Sequence, residues 1–235
     1  MLNCLSRSHS FAALAALFAM AGSAQATTTF FTSQDAYLSY LGRPVTDDFS
    51  DLAGSVGQGL GTPLPRSAGS FGYNVYAYYF FPGSESADGL AATGTLDNPT
   101  LSTYNNWSTL ILDDFTGGAN AIGFNTWGEA TNGDFVAGQT MEIEILDSTG
   151  ADQVFHYVPT DTGDGSFVGM ISTGTIKIVN MTVVPNPNLS DEPFATMDNV
   201  TMGQAVAVVP EPADYALMLG GLAVLGAVMR RRRQG

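Results

Sequence analysis

Cations, histidines and thiols are scarce in this 235-residue chain, and their scarcity excludes more chemistry than any motif admits. The single cysteine, Cys4, lies in the N-terminal leader described below. The body behind it therefore has no disulfide, thiolate metal site or cysteine nucleophile. His156 is the only histidine outside the leader, which rules out a multi-histidine zinc site and leaves a serine triad one possible base. No Gly-x-Ser-x-Gly elbow accompanies it, so the residue reads as a half-exposed strand histidine. Asp and Glu number 22 against 8 Lys and Arg, a formal net charge of -14. A surface of that sign repels phosphodiester backbones, so nucleic acid is not an expected partner. Charged residues are only 13% of the chain, too few for a charge-rich disordered protein or a long coiled coil.

Glycine and aromatic residues are abundant instead, with 27 glycines and an aromatic share of 11%. Short β-branched or aromatic segments bounded by Gly, Asn, Asp or Pro occur at 71–81, 109–112, 121–124, 141–145, 154–158, 167–171, 175–179 and 199–202. Each reads as a strand, as does the short segment 29–31. In 141–145 the apolar side chains alternate with Glu142 and Glu144, the pattern of an antiparallel strand with one wet face. A helix over 33–41 is expected, with Ser33 as N-cap and Ala36, Tyr37, Tyr40 and Leu41 at helical spacing. The glycine- and proline-rich stretch 50–72 reads as a loop. Together these features predict an all-β, mainly antiparallel protein, a jelly-roll-like β-sandwich with a short N-terminal helix. This body, residues 27–208, holds every acidic residue except Glu211 and Asp214, and its only cations are Arg43, Arg66 and Lys177.

Both chain ends differ from the body. Residues 1–26 carry Arg7, then an apolar stretch over 11–20, then Ala24-Gln25-Ala26. That order is a secretory signal peptide, with Ala24 and Ala26 as the small residues of the signal peptidase site. Residues 209–235 begin Val209-Pro210-Glu211-Pro212, continue through an unbroken apolar run over 215–229, and then meet Arg230, Arg231, Arg232 and Arg233. As a helix that run is about 22 Å long, and snorkelling arginines extend its reach toward the ~30 Å hydrocarbon layer. The arginine cluster holds its end in the cytoplasm, which expects the body on the other side of the membrane.

A Val-Pro-Glu-Pro tetrapeptide, a short apolar helix and a terminal arginine cluster, in that order behind a secretory leader, resemble the PEP-CTERM sorting domain. The resemblance implies that Pro210-Glu211-Pro212 is recognised by an exosortase, a membrane cysteine protease or transpeptidase. It implies that 213–233 is a transient inner-membrane anchor. It also implies that the processed protein reaches the cell surface or the extracellular matrix, in association with exopolysaccharide and biofilm. Implied partners are the secretion machinery with its signal peptidase, the exosortase and exopolysaccharide. The 119–124 and 197–202 strands and the opening helix also resemble, loosely, β-sandwich bodies that carry this tail.

Within the body the expectation is a non-enzymatic protein, with no catalytic residue assigned. Glu142 and Glu144 stand roughly 7 Å apart along one strand, a separation an inverting glycosidase could use. Laminarinase-like enzymes place Glu-x-Asp-x-x-Glu on such a strand, and the run 142–147 departs from that order, so a solvated face is preferred. No cofactor is expected beyond a structural Ca²⁺, for which Asp161, Asp164 and Asp198 supply hard oxygen ligands. A carbohydrate-binding module is the alternative function, with Trp107 and Trp127 as stacking rings and the Tyr73, Tyr76, Tyr78, Tyr79 series divided between two strand faces.

Overall fold

The computed structural model describes residues 28–81, 84–106, 108–186, 193–206 and 221. The proposed signal peptidase residues Ala24 and Ala26, the sorting residues Val209, Pro210, Glu211 and Pro212, the cluster Arg230 to Arg233, and Trp107 lie outside them. Thr27–Val209 forms one compact unit. No helix among the described residues is long and apolar enough to cross a membrane.

Two antiparallel sheets make the body. The eight-stranded sheet contains β1 (Thr28–Phe31), β2 (Val45–Asp47), β3 (Gln58–Leu60), β7 (Leu90–Gly94), β8 (Pro99–Thr103), β10 (Ala121–Glu129), β13 (Phe167–Ser172) and β15 (Phe194–Gly203). Its order is β1-β13-β10-β15-β8-β7-β3, with β2 paired to β15. The seven-stranded sheet contains β4 (Leu64–Ala68), β5 (Phe71–Phe81), β6 (Ser84–Asp88), β9 (Ser108–Asp113), β11 (Met141–Asp147), β12 (Asp152–Tyr157) and β14 (Ile176–Val183). Its order is β12-β11-β14-β9-β5-β4, with β6 paired to β5. Each sheet has one long strand whose second edge is shared by two short ones. β4 and β6 line up along β5, and β8 and β2 along β15.

The core lies between the sheets. Val75, Ala77, Leu110, Leu112, Met141, Ile143, Ile145, Val179 and Met181 from one sheet meet Leu90, Leu101, Ile122, Phe124, Val168, Met170, Met197, Val200 and Met202 from the other. Period-two alternation drives this sorting in the seven-stranded sheet, most clearly in β11, where buried and half-buried residues strictly alternate. Strand β15 breaks the alternation and then restores it. Met197 and Val200 both face the core, because Asn199 adopts a left-handed φ of 53° and the β10 register shifts between Gly123 and Asn125. This is a bulge: one extra residue is absorbed so that both halves of the strand keep their apolar side inward.

The helix is shorter than the spacing predicts. α1 (Gln34–Leu38) starts where expected, with the Ser33 hydroxyl accepting from the Ala36 N–H at 3.4 Å. It ends early because Leu41 bridges to Ala205 instead of continuing the helix. Tyr37 docks α1 on the outer face of the eight-stranded sheet, with no exposure, in a cluster with Leu41, Ala121, Phe167 and Ile171. Two glycines make room for it: a Cβ at Gly169 would lie 2.6 Å from the Tyr37 ring and one at Gly123 3.0 Å from it. The expected loop over 50–72 is the larger correction. It contains a 3₁₀ segment (Ser50–Ser55), β3 and β4, and β4 forms a hairpin with β5 that turns at Gly69, φ 57°. Glycine there supplied the turn between strands and did not prevent them.

Candidate functional site

Arg66, one of three cations of the body, sits where the two sheets meet. β4 presents it from the seven-stranded sheet, and β2 with the following 3₁₀ segment presents Asp47 and Asp51 from the other side. Its Nε and Nη2 donate to the two Asp47 oxygens at 2.9 and 2.5 Å, and Nη1 and Nη2 donate to both Asp51 oxygens at 2.8 Å. The Tyr73 hydroxyl donates to Asp47 Oδ2 at 2.7 Å. The guanidinium lies 5.0 Å from the Phe49 ring centroid, a cation–π contact that complements the bidentate pairs. Burial alone would lower the arginine pKa, but Asp51 and Asp47 outweigh it and raise it. The hydrogen bond from Arg66 holds Asp51 below its ordinary value. Burial and then the Asp47 charge push the Tyr73 hydroxyl well above its own.

Phe49 is fully buried at φ 55°, a conformation that costs a bulky residue about 1–3 kcal/mol. The Phe49 N–H donating to Asp47 Oδ1 at 3.2 Å and the ring beneath Arg66 hold it there. An open depression of about 470 Å³ lies over this cluster, lined by Thr46, Asp47, Asp48, Ser50, Asp51, Pro65, Arg66 and Ser67. No histidine or thiol borders it, and its one guanidinium makes four hydrogen bonds to two carboxylates. The arrangement clamps the two sheets together.

The proposed calcium residues are dispersed in role. Asp161 Oδ1 accepts from the N–H groups of Gly163 and Gly165 at 2.7 and 3.0 Å, bending the loop after β12. Asp164 is exposed in the 3₁₀ turn Asp164–Ser166. Asp198 is 2% exposed at the β15 bulge, where it accepts from the Asn199 N–H at 2.7 Å, Asn199 Nδ2 at 2.9 Å and Asn98 Nδ2 at 3.4 Å. Burial, with a smaller contribution from the Asp48 charge, pushes its carboxyl up to about 6. Among the described residues no three Asp, Glu, His or Cys side chains stand together as metal ligands.

Glu129 was not singled out by any motif. It is 5% exposed on the outer face of the eight-stranded sheet, where it accepts from Thr196 Oγ1 at 2.8 Å and Thr93 Oγ1 at 3.1 Å. Burial raises its pKa. Trp127 is on the same face, also 5% exposed. A ring so covered presents little more than an edge to a sugar.

The outer face of the seven-stranded sheet is different. Strand register aligns Val154, Glu144, Asn180, Ile111 and Tyr76 in one row, and His156, Glu142 and Thr182 in the next. Thr109, bonded to Thr182 at 2.8 Å and paired with Tyr78, continues the second row. Glu144 accepts from Asn180 Nδ2 at 2.5 Å. Glu142 lies 3.7 Å from His156 Nε2, with both side chains well exposed. Tyr76 donates to Asp113 Oδ2 at 2.7 Å, and burial, then Asp113, push its hydroxyl pKa up to about 12. Tyr73 lies in the core and Tyr76 with Tyr78 is half-buried outside, as alternation predicts, whereas Tyr79, expected on the side of Tyr73, is only half-buried and is not part of the core. Arg66 escaped the sequence reading, although the signal was present: a single strand arginine fifteen residues beyond the Asp47-Asp48-x-x-Asp51 cluster in a chain almost without cations.

Comparison of the chain with protein-family models, with curated proteins and with solved structures finds no match.

Proposed function

We propose that this chain is an exported surface or matrix protein, non-enzymatic, whose β-sandwich body is delivered by a C-terminal sorting tail that an exosortase processes. One observation carries the reading: Val209-Pro210-Glu211-Pro212, the apolar run over 215–229 and Arg230 to Arg233 follow one another in the order of a PEP-CTERM signal. The two prolines fix an extended peptide next to the apolar run, the backbone form a protease can thread. In this proposal Ala24 and Ala26 precede the signal peptidase cut, and the tail holds the body at the inner membrane until it is processed. The two-sheet body, with strands exchanging between layers along the chain, is jelly-roll-like, and its acidic surface keeps it soluble beside exopolysaccharide at the cell surface.

The test is replacement of Pro210, Glu211 and Pro212 together by alanine in the full chain. The expected result is accumulation of the unprocessed protein in the membrane fraction and loss from the cell surface. Unchanged surface delivery of the triple variant would contradict the proposal.

A further inference from the structure

The outer face of the seven-stranded sheet has a charge and hydrogen-bonding inventory that defines its complement. Its rows carry the carboxylates Glu142, Glu144 and Asp113, with Asp152 on the edge strand β12. Its nearby basic side chains are the imidazole of His156 at the β12 edge and Lys177 at the bulged start of β14. Asp113 Oδ1 and Asn180 Oδ1 have no donor, and among the described residues of the face carboxylates outnumber basic side chains. Beside the carboxylates lie flat or apolar side chains: Tyr76, Tyr78, Ile111 and Val154, the last 51% exposed. From β5 to β12 each row crosses four interstrand gaps, about 19 Å at sheet spacing, long enough for several pyranose rings laid across the strands.

We propose that this face docks a polysaccharide bearing free amino groups. Its ammonium groups would pair with Glu142 and Glu144, and the apolar faces of its rings would rest on Tyr76, Tyr78 and Ile111. Charge complementarity selects this occupant. A second copy of the chain would bring like carboxylates together, and an anionic polysaccharide would be repelled by the same groups. The proposal deepens the matrix association proposed above and rests on that reading only for where the glycan is met.

The test uses the protein recovered from cells, with calorimetric titration by a glucosamine hexamer, by its N-acetylated form and by oligolysine, at a pH of about 5.5, below the amine range. The glucosamine hexamer is expected to bind at least about tenfold more tightly than either of the others. The double variant E142Q/E144Q should lose about tenfold of that affinity, while D35N/D97N, which removes two exposed charges elsewhere, should lose almost none. Thermal melts that superimpose on the parent would show that both variants fold. Equal binding of the N-acetylated hexamer would overturn the amine requirement, and oligolysine binding as tightly would replace the glycan with a basic peptide. Equal losses in the two double variants would reduce the effect to net charge. Any of these failures leaves the processing of the tail untouched, so the two proposals fail separately.

Discussion

The two sheets share an architecture and a core, yet their outer faces are treated in opposite ways. The eight-stranded sheet buries its outside: Tyr37 closes one end against Phe167, and Trp127, Glu129, Thr196 and Asp198 are each 5% exposed or less farther along. The seven-stranded sheet leaves its outside half-open, with Val154 51% exposed and Glu142 and His156 in solvent. A covered polar face commits its groups to one another, as Glu129 is committed to Thr93 and Thr196. An open face can still commit its groups to something else. Side chains committed to one another and side chains left in solvent thus fall on different outer faces.

Substitutions should reveal that segregation as a descending series of stability losses. Tyr37→Ala removes a fully buried ring and the hydrogen bond from its hydroxyl to the Thr201 carbonyl, and should cost about 3–5 kcal/mol by chemical denaturation. A loss below about 1 kcal/mol would mean that α1 does not close the outer face. Arg66→Ala leaves Asp47 buried beside a hydroxyl and an aromatic ring, and a loss of about 3 kcal/mol is expected in the same assay.

The third prediction concerns pH. Asp198 is held near 6, above its ordinary value, and Glu129 is raised as well, so the folded state binds these protons more tightly than the unfolded chain does. For Asp198 that contribution is complete below the unfolded value near 4 and is lost as pH rises through about 6; the Glu129 contribution has the same sign and is lost as pH rises past its own raised value. Asp48, Asp51 and Asp147 are lowered, and what they contribute is lost only as pH falls below about 4. Stability should therefore decline between about pH 4 and 7 by an amount on the order of 2 kcal/mol for Asp198 after solvent screening. Asp198→Asn should flatten that slope in denaturation curves taken across the range, and an unchanged slope would remove Asp198 from the explanation. At the small end, Glu142→Gln and Glu144→Gln on the open face should each shift stability by no more than about 0.5 kcal/mol. A larger loss from either would place the open face among the structural elements and blur the contrast between the sheets.

Much of this contrast was legible in the sequence, and the illegible part has physical causes. β11 announces its own orientation because Met141, Ile143 and Ile145 alternate with Glu142 and Glu144, a local period that needs no tertiary context. β7 and β8 announce nothing, since Leu-Ala-Ala-Thr-Gly and Pro-Thr-Leu-Ser-Thr are small and polar. They become strands through pairing with each other and with β15. The Arg66 clamp was hidden for a similar reason, because Asp47 and Asp51 meet Arg66 only where the sheets come together. Asp198 stood out as an acidic residue near the closing strand. Its burial depends on a bulge that no alternation rule foresees.

The most direct test of the central proposal is the intact mass of the protein recovered from cells with and without the exosortase. The account predicts a product that begins at Thr27 and ends within Pro210 to Pro212, with a longer form accumulating when the exosortase is absent. A mass that still includes Arg230 to Arg233 in both strains would make the tail a permanent anchor and contradict the account.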